Sequence, residues 1–415
     1  MLNRVAYPIV LAASFVVVGC GGNAIDTAGS ESGSPAPALG ESVAVAAPES
    51  KTASETTVVA GAALRHLYVA VTGSDTNPGT QTQPFKTILK ASQAATPGTV
   101  VHVAPGIYPG SFTTAKSGSA TARITYVSDV KWGAKIVPPA NSRLVAGWYN
   151  TGSYVDISGF EVDGSNYVAG QQWSLGIMIR GSYNVVSRNR VHHIATSSEF
   201  CNSTGGAGIN TDTLQNGYHN DFIANLVHDI GVPGCNKIHG IYHSSSGKIQ
   251  NNIIYQIGYG GIHLWHDASN IDISNNTVFG AYYGIIVGSG DYYKSTTGKV
   301  DYVNVSNNII YDNIVGIVES GPSGTNNTYT NNLVYKSSKT NWAIRSAHSG
   351  DITADPQFVK YIRTGGGNYM PLSTSPAVGN GAPTYAPPTD YLGTPRPQGG
   401  KVDVGAFEYT GVDAR

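Results

Sequence analysis

From Leu67 to Tyr409, apolar side chains recur at every second position in short runs, and clusters of Asn, Gly and Ser separate the runs. The stretch Tyr302-Val-Asn-Val-Ser306 is typical. Period-two alternation of this kind predicts short strands with one buried face. Two motifs recur in alternation along the same region. The first is Asn followed three positions later by His or an aromatic residue: Asn189-Arg-Val-His192, Asn225-Leu-Val-His228, Asn252-Ile-Ile-Tyr255, Asn276-Thr-Val-Phe279, Asn308-Ile-Ile-Tyr311 and Asn332-Leu-Val-Tyr335. The second is a small residue followed by Ile: Gly176-Ile177, Gly208-Ile209, Gly240-Ile241, Gly261-Ile262, Gly284-Ile285, Gly316-Ile317 and Ala343-Ile344. Successive copies lie 21 to 36 residues apart, the spacing of one coil in a stacked solenoid.

Strand-rich coils of this length predict an all-β parallel β-helix. Equivalent positions then stack about 4.8 Å apart. Asn189 to Asn332 should form an internal amide ladder, and His192 to Tyr335 a column of stacked rings. His192 and His228 are therefore read as packing residues. A solenoid must also cover its first coil. The segment Pro84–Ala95, with Phe85, Ile88, Leu89, Ala91 and Ala95 at helical spacing, predicts a capping helix.

Composition narrows the function. The chain has 415 residues, 51 of them Gly, only 12% charged residues and a formal net charge of -1. It has no run of Lys and Arg, which argues against a nucleic-acid partner. Residues 1–20 place Arg4 ahead of an apolar run that ends Val17-Val18-Gly19-Cys20, too short to span a bilayer. This end resembles a bacterial lipobox. The resemblance implies cleavage before Cys20, lipidation of that cysteine, and a place in the bacterial cell envelope where the lipid is the only membrane contact. Residues 21–62 lack the apolar content to fold and are read as a tether. The β-helix domain is expected over residues 63–411, as a monomer.

Several stretches resemble the opening and closing signatures of bacterial right-handed parallel β-helix proteins. They are Tyr68-Val-Ala-Val-Thr-Gly-Ser-Asp-Thr-Asn-Pro-Gly79, Gln83-Pro-Phe-Lys-Thr87, Ala104-Pro-Gly-Ile-Tyr108, Ser375-Pro-Ala377, Pro395-Arg-Pro-Gln-Gly399 and Val402-Asp-Val-Gly-Ala-Phe-Glu-Tyr409. Polysaccharide lyases of the pectate and alginate type are among those proteins. The resemblance implies the fold and a partner class, an acidic polysaccharide; it carries no catalytic motif.

The repeat register places the chemistry. If the Ile after each Gly points inward, the next residue points outward. One outward column is then Met178, Asn210, Tyr242, His263, Ile286, Val318 and Arg345. A second, two residues further on, is Arg180, Asp212, Ser244, Trp265, Gly288 and Ser320. Polar and aromatic types cluster in the middle coils. The candidate catalytic residues are Lys237, His239, Tyr242, His243 and His263. The candidate substrate-binding residues are Arg180, Asn210, Asp212, Trp265, His266 and Asp267. Cys201 and Cys235 lie one coil apart in the loops before two of these strands, and a disulfide between them would wall the groove.

A uronate lyase must neutralise the C6 carboxylate, remove the C5 proton and protonate the departing oxygen. Lys, His, Tyr, Arg and Asn supply those functions without an obligatory cofactor. No tightly held metal is expected: His263 and His266, three apart on a strand, face opposite sides unless the strand ends between them. At most weak calcium assistance by Asp212, Asp267 and Asp163 is expected. Three other readings use the same groove. A polygalacturonase-type hydrolase would use Asn210-Thr211-Asp212 and Ile238-His239-Gly240, but its Asp-Asp and Arg-Ile-Lys motifs are missing. A C5-epimerase would share the proton abstraction. A non-catalytic surface protein would only bind glycan.

Overall fold

The computed structural model describes residues 64–140, 145–165, 172–202, 205–215, 217–294 and 297–411. The expected signal segment, Cys20 and the expected tether lie outside the described residues. Among those described, one eleven-stranded sheet and one sixteen-stranded sheet, both parallel along their length, wind into a β-helix. One coil shows the path. A strand of the smaller sheet, Gly247–Gln250, runs into a turn at Asn251 and Asn252. The chain then enters the larger sheet over Ile253–Leu264, whose pairing breaks between Ile257 and Gly260. That break divides the strand into a first leg and a second leg that meet at a corner. A loop leads from Leu264 to Ser269–Ser274 and the next coil.

The turn explains the Asn motif. Each ladder Asn after Asn189 accepts the backbone N–H and side-chain N–H of the Asn one coil back, and Asn189 Oδ1 accepts Phe160 N. Asn225 donates to Asn252 Oδ1 at 2.9 and 3.0 Å, and Asn252 donates to Asn276 Oδ1 at 2.9 Å from both nitrogens. Unbroken side-chain bonds run from Asn189 to Asn332. The next outward column is the predicted ring stack. His192, His228, Tyr255 and Phe279 lie face to face at centroid distances of 4.9, 4.8 and 5.1 Å. Tyr361 sets its edge against both Phe279 and Tyr311 before Tyr335 continues the column.

The corner explains the Gly-Ile motif. A Cβ on Gly240 would lie 2.6 Å from the Gly261 carbonyl oxygen and 2.8 Å from the Ile254 side chain. The same clash repeats at Gly176, Gly208, Gly261, Gly284 and Gly316, because at each corner the next coil's backbone passes within contact distance. The Ile that follows packs inward. Ile177, Ile209, Ile241, Ile262, Ile285 and Ile317 are all fully buried and in register.

Two expectations about the ends need correction. In the last coil Ile317 pairs with Trp342 and Val318 with Ala343. Asn341-Trp342 therefore replaces the Gly-Ile pair, and Arg345 leaves the outward column to donate to Gly321 O and Ser323 Oγ. At the other end the helix spans Ile88–Ala94, capped by Thr87 Oγ1 accepting from Lys90 N. Ile88 and Ala91 join the core, but Leu89 points to solvent, because two turns of helix present only one face to the coil beneath.

The C-terminal segment covers the outside of the first leg in the later coils. Phe358, Tyr369, Tyr391, Val404, Ala406 and Phe407 pack on Ile253, Tyr255, Phe279, Ile309 and Tyr311. A fully buried ion pair, Arg396 with Glu408 at 2.5 Å, fixes it there.

Candidate functional site

With the later coils of the first leg covered, the outward face of the second leg carries the middle-coil residues singled out in the sequence. On Ile238–His243 the corner at Gly240 resets the alternation. His239 and Tyr242 point out, and Ile238 and Ile241 point in. Tyr242 pairs with His263 in the next coil and Asn210 in the preceding one. The rings of His239 and His263 are 4.2 Å apart, with nitrogens 3.1 Å apart at the closest. Tyr242 lies 5.2 Å from each, edge-on to His263. Trp265 lies 5.5 Å from His263, and its indole sits against Gly288 and Gly290, where any side chain would strike it.

His266 closes the loop end of this cluster. Its Nδ1 is 2.8 Å from the Asp291 carbonyl oxygen, so it donates there, and Nε2 is left to accept from Tyr293 Oη at 3.1 Å. Burial holds all three imidazoles below their ordinary range: His239 to about 3, His263 well below 6.5, with the neighbouring His239 adding to it, and His266 to a lesser degree. The cluster is a group of neutral imidazoles beside a phenol.

The remaining predicted residues divide. Arg180 Nε donates to Asp212 Oδ2 at 3.0 Å, and the guanidinium lies 4.8 Å over the Tyr149 ring. Asp212 also accepts Leu214 N, so its carboxylate is engaged from both sides. Asn210 Oδ1 is buried without a hydrogen-bond partner. Asp267 accepts the backbone N–H groups of Tyr293 and Lys294, which makes it a loop-fixing residue. Lys237 is half-buried at the start of the strand, and its carbonyl accepts Gly206 N.

Two assignments were wrong. His243 is fully buried inside the coil, with Nε2 donating to Asn220 O at 3.0 Å and its ring against Phe222. It follows outward Tyr242, so strand alternation alone turns it inward. Ser244 is likewise buried and donates to Thr211 O. The carboxylates expected to assist calcium do not converge either. Asp212 faces Arg180, Asp267 binds amides, and Asp163 lies on the first leg beside Lys135 and His192.

Other residues escaped the sequence reading. Tyr149 pairs with Met178 and extends the outward column one coil towards the N-terminus, with Thr113 beyond it; Gly147-Trp148 is the corner motif with Trp in the place of Ile, and that was the signal for it. Tyr259, Tyr282 and Tyr283 form an aromatic group beside His239. Tyr293 and Asp291 come from a loop with no repeat pattern.

The predicted disulfide is present. Cys201 and Cys235, with Cα atoms 5.0 Å apart, join the loops before Gly206–Thr211 and Ile238–His243. For a link across 34 positions, chain entropy assigns a stabilisation of ~3–4 kcal/mol. Cys201→Ser/Cys235→Ser should lower the denaturant-derived unfolding free energy by about that amount. Equal stabilities of parent and variant would leave the link without an energetic role.

Comparison with known proteins supports the fold. Residues 67–222 match a family model described as a Pel9A-like right-handed β-helix region. The crystal structure of pectate lyase Pel9A superimposes with a TM-score of 0.59 at 16% identity, over 84% of this chain and 97% of that one. An alginate lyase from Paenibacillus sp. str. FPU-7 gives 0.40 at 18% identity, over 64% and 92%. A 146-residue stretch is 27% identical to the uncharacterized protein YwoF of Bacillus subtilis (strain 168), over 34% of this chain and 31% of that protein. The chain thus matches about a third of that curated relative's length. The molecule is a right-handed parallel β-helix of the architecture seen in pectate lyase Pel9A.

Proposed function

We propose that the protein is a polysaccharide lyase that cleaves a uronate-containing polymer, of the alginate or pectate type, by β-elimination. The observation that carries this reading is the contact of Tyr242 with the neutral imidazoles of His239 and His263, side by side on adjacent coils. An unprotonated imidazole can accept the C5 proton, and a phenol can protonate the departing O4. The approach of an anionic sugar would raise the affinity of these imidazoles for a proton at the moment it is needed. Arg180, whose Nε is held by Asp212, is the cation offered to the C6 carboxylate, and Asn210, with its unpartnered acceptor oxygen, is offered to a ring hydroxyl. Lys237, on the disulfide-linked loop, adds positive charge for the polymer, and Trp265 offers an apolar edge for a sugar ring. The Cys20 anchor and tether would hold a monomer of this enzyme at the cell envelope.

An inverting hydrolase needs two available carboxylates about 6.5–9.5 Å apart. Asp212 and Asp267 are both committed to other partners, which disfavours that chemistry. Incubation with a panel of uronate polymers decides among the readings. A lyase gives the ultraviolet absorbance of an unsaturated uronate. New reducing ends without that absorbance would make the protein a hydrolase, C5 inversion without cleavage an epimerase, and binding alone a surface lectin.

The imidazoles also set the pH dependence. Because burial depresses both His239 and His263, the unprotonated form persists well below pH 6.5. The acid limb of kcat/KM, which reports the free enzyme, should therefore fall below that value. A limb centred at pH 6.5 would mean that a solvent-exposed imidazole does the work.

A further inference from the structure

We propose that the first leg carries a second site, which binds a late first-row divalent cation such as zinc through His192, His193 and Asp163, with Glu161 positioning His192. It lies on a different face from the groove and does not depend on the lyase reading. The three residues offer ligand atoms that all fall within 4.8 Å of one another. His192 and Asp163 are register partners on adjacent coils, so strand pairing fixes their spacing. His193 follows in the left-handed region, at φ 56°, which turns its ring back across His192. The two Nδ1 atoms face each other at 2.6 Å, so with no ion between them His193 Nδ1–H donates to His192 Nδ1, a proton that a metal ion would displace to the other nitrogen of His193; His192 Nδ1 is 3.6 Å from Asp163 Oδ1.

The protonation pattern suits a metal. His192 Nε2 lies 2.9 Å from Glu161 Oε1 and donates to it, so Nδ1 keeps its lone pair. A carboxylate holding the far nitrogen of a liganding imidazole is the usual way to fix tautomer and ring orientation. The stack of His192 on His228 at 4.9 Å locks the ring from its other face. Two imidazole nitrogens and one carboxylate oxygen favour zinc, nickel or copper over calcium. His193 is only half-buried, which leaves an approach and a fourth position for water.

The surrounding charges are mixed. Lys135 Nζ lies 3.3 Å from both Glu161 and Asp163 and opposes a cation. Arg190 Nη1 is 3.6 Å from Glu161, and its Nε donates to His228 Nε2. Asp229 binds His228 Nδ1 at 2.7 Å.

The test is zinc titration by calorimetry on the untagged full chain after chelator treatment and dialysis. The expected result is one zinc per chain, not displaced by excess calcium. His192→Phe/His193→Asn should weaken uptake by at least about 100-fold and Glu161→Gln by about 10–100-fold, while Lys135→Met should tighten it. Phe279 already stands in the column of His192, and Asn tolerates the left-handed backbone, so the double variant is chosen to fold. If its unfolding curve shows otherwise, the opposite shifts in Glu161→Gln and Lys135→Met carry the test. No stoichiometric uptake by the parent would overturn the proposal. So would uptake unchanged in the double variant, or uptake lost only in His239→Ala/His263→Ala, which would put the ion in the groove.

Discussion

Tyr242→Phe and His263→Ala should each reduce kcat/KM on a cleaved uronate polymer by about 10²–10⁴-fold, the range for loss of a general acid or base. Both side chains stand on the outward face of the second leg, so neither change opens the core. The unfolding midpoint should stay close to that of the parent. His243→Ala should do the reverse. Its ring is inside the coil against Phe222, and its loss leaves a cavity and an unpaired Asn220 carbonyl, so stability falls while the outward cluster keeps its groups. Trp265→Ala should raise KM more than it lowers kcat, as the loss of a sugar-contacting surface would. Full activity in both Tyr242→Phe and His263→Ala would place the chemistry on another face, even if the polymer assay had shown a lyase.

Burial of histidines on this scale also ties stability to pH. The proton affinity of His243 falls from the ordinary 6.5 to about 4 in the fold. The unfolded chain therefore binds protons in that interval that the fold refuses. The contribution of His243 is fully present above pH 6.5 and is lost as the pH drops towards 4. At about 1.4 kcal/mol per tenfold change in proton affinity, the loss is on the order of 3 kcal/mol. His192 and His239 act in the same direction. This acid lability and the low acid limb expected under the lyase reading would share one cause, the dry packing of imidazoles against the coil.

The sequence revealed what repeats and missed what does not. Asn252 and Gly240 were legible because the same backbone constraint recurs coil after coil, and only one residue type meets it each time. The pairing of Tyr242 with His263 followed from that register. His243 was misassigned although the register already placed it inside, because residue type was allowed to outweigh alternation. The engagement of Asp267 with the Tyr293 and Lys294 amides, and of His266 with Tyr293, depends on a loop whose path no periodicity dictates. The last coil slipped by two residues because Trp342 fills the place of an Ile. His192 was correctly read as a stacking residue, yet its edge also meets Glu161, His193 and Asp163, a contact that requires the left-handed turn at His193.

Asn252→Leu should be the most damaging single change to the fold. Asn252 is fully buried, and its side chain makes four hydrogen bonds: it accepts Asn225 N and Nδ2 and donates to Phe222 O and Asn276 Oδ1, all within 2.8–3.0 Å. Leucine removes all four and adds branched bulk to a turn stacked between coils. A stranded buried polar group costs about 1–3 kcal/mol, and the partial losses at its neighbours add to that. The total is on the order of 5 kcal/mol, which is the lower end of a whole domain's stability. Asn252→Asp keeps the acceptor and loses the donors, so it should fall between Leu and the parent. Asn332→Leu should cost less, because that residue has a ladder Asn on one side only; its backbone N–H goes instead to Asp351. In a solenoid whose coils touch only their neighbours, the mid-ladder defect also separates two cooperative halves. Asn252→Leu should therefore broaden the denaturation transition as well as lower its midpoint. A sharp transition within about 1 kcal/mol of the parent would mean that the amide ladder follows the coils and does not hold them together.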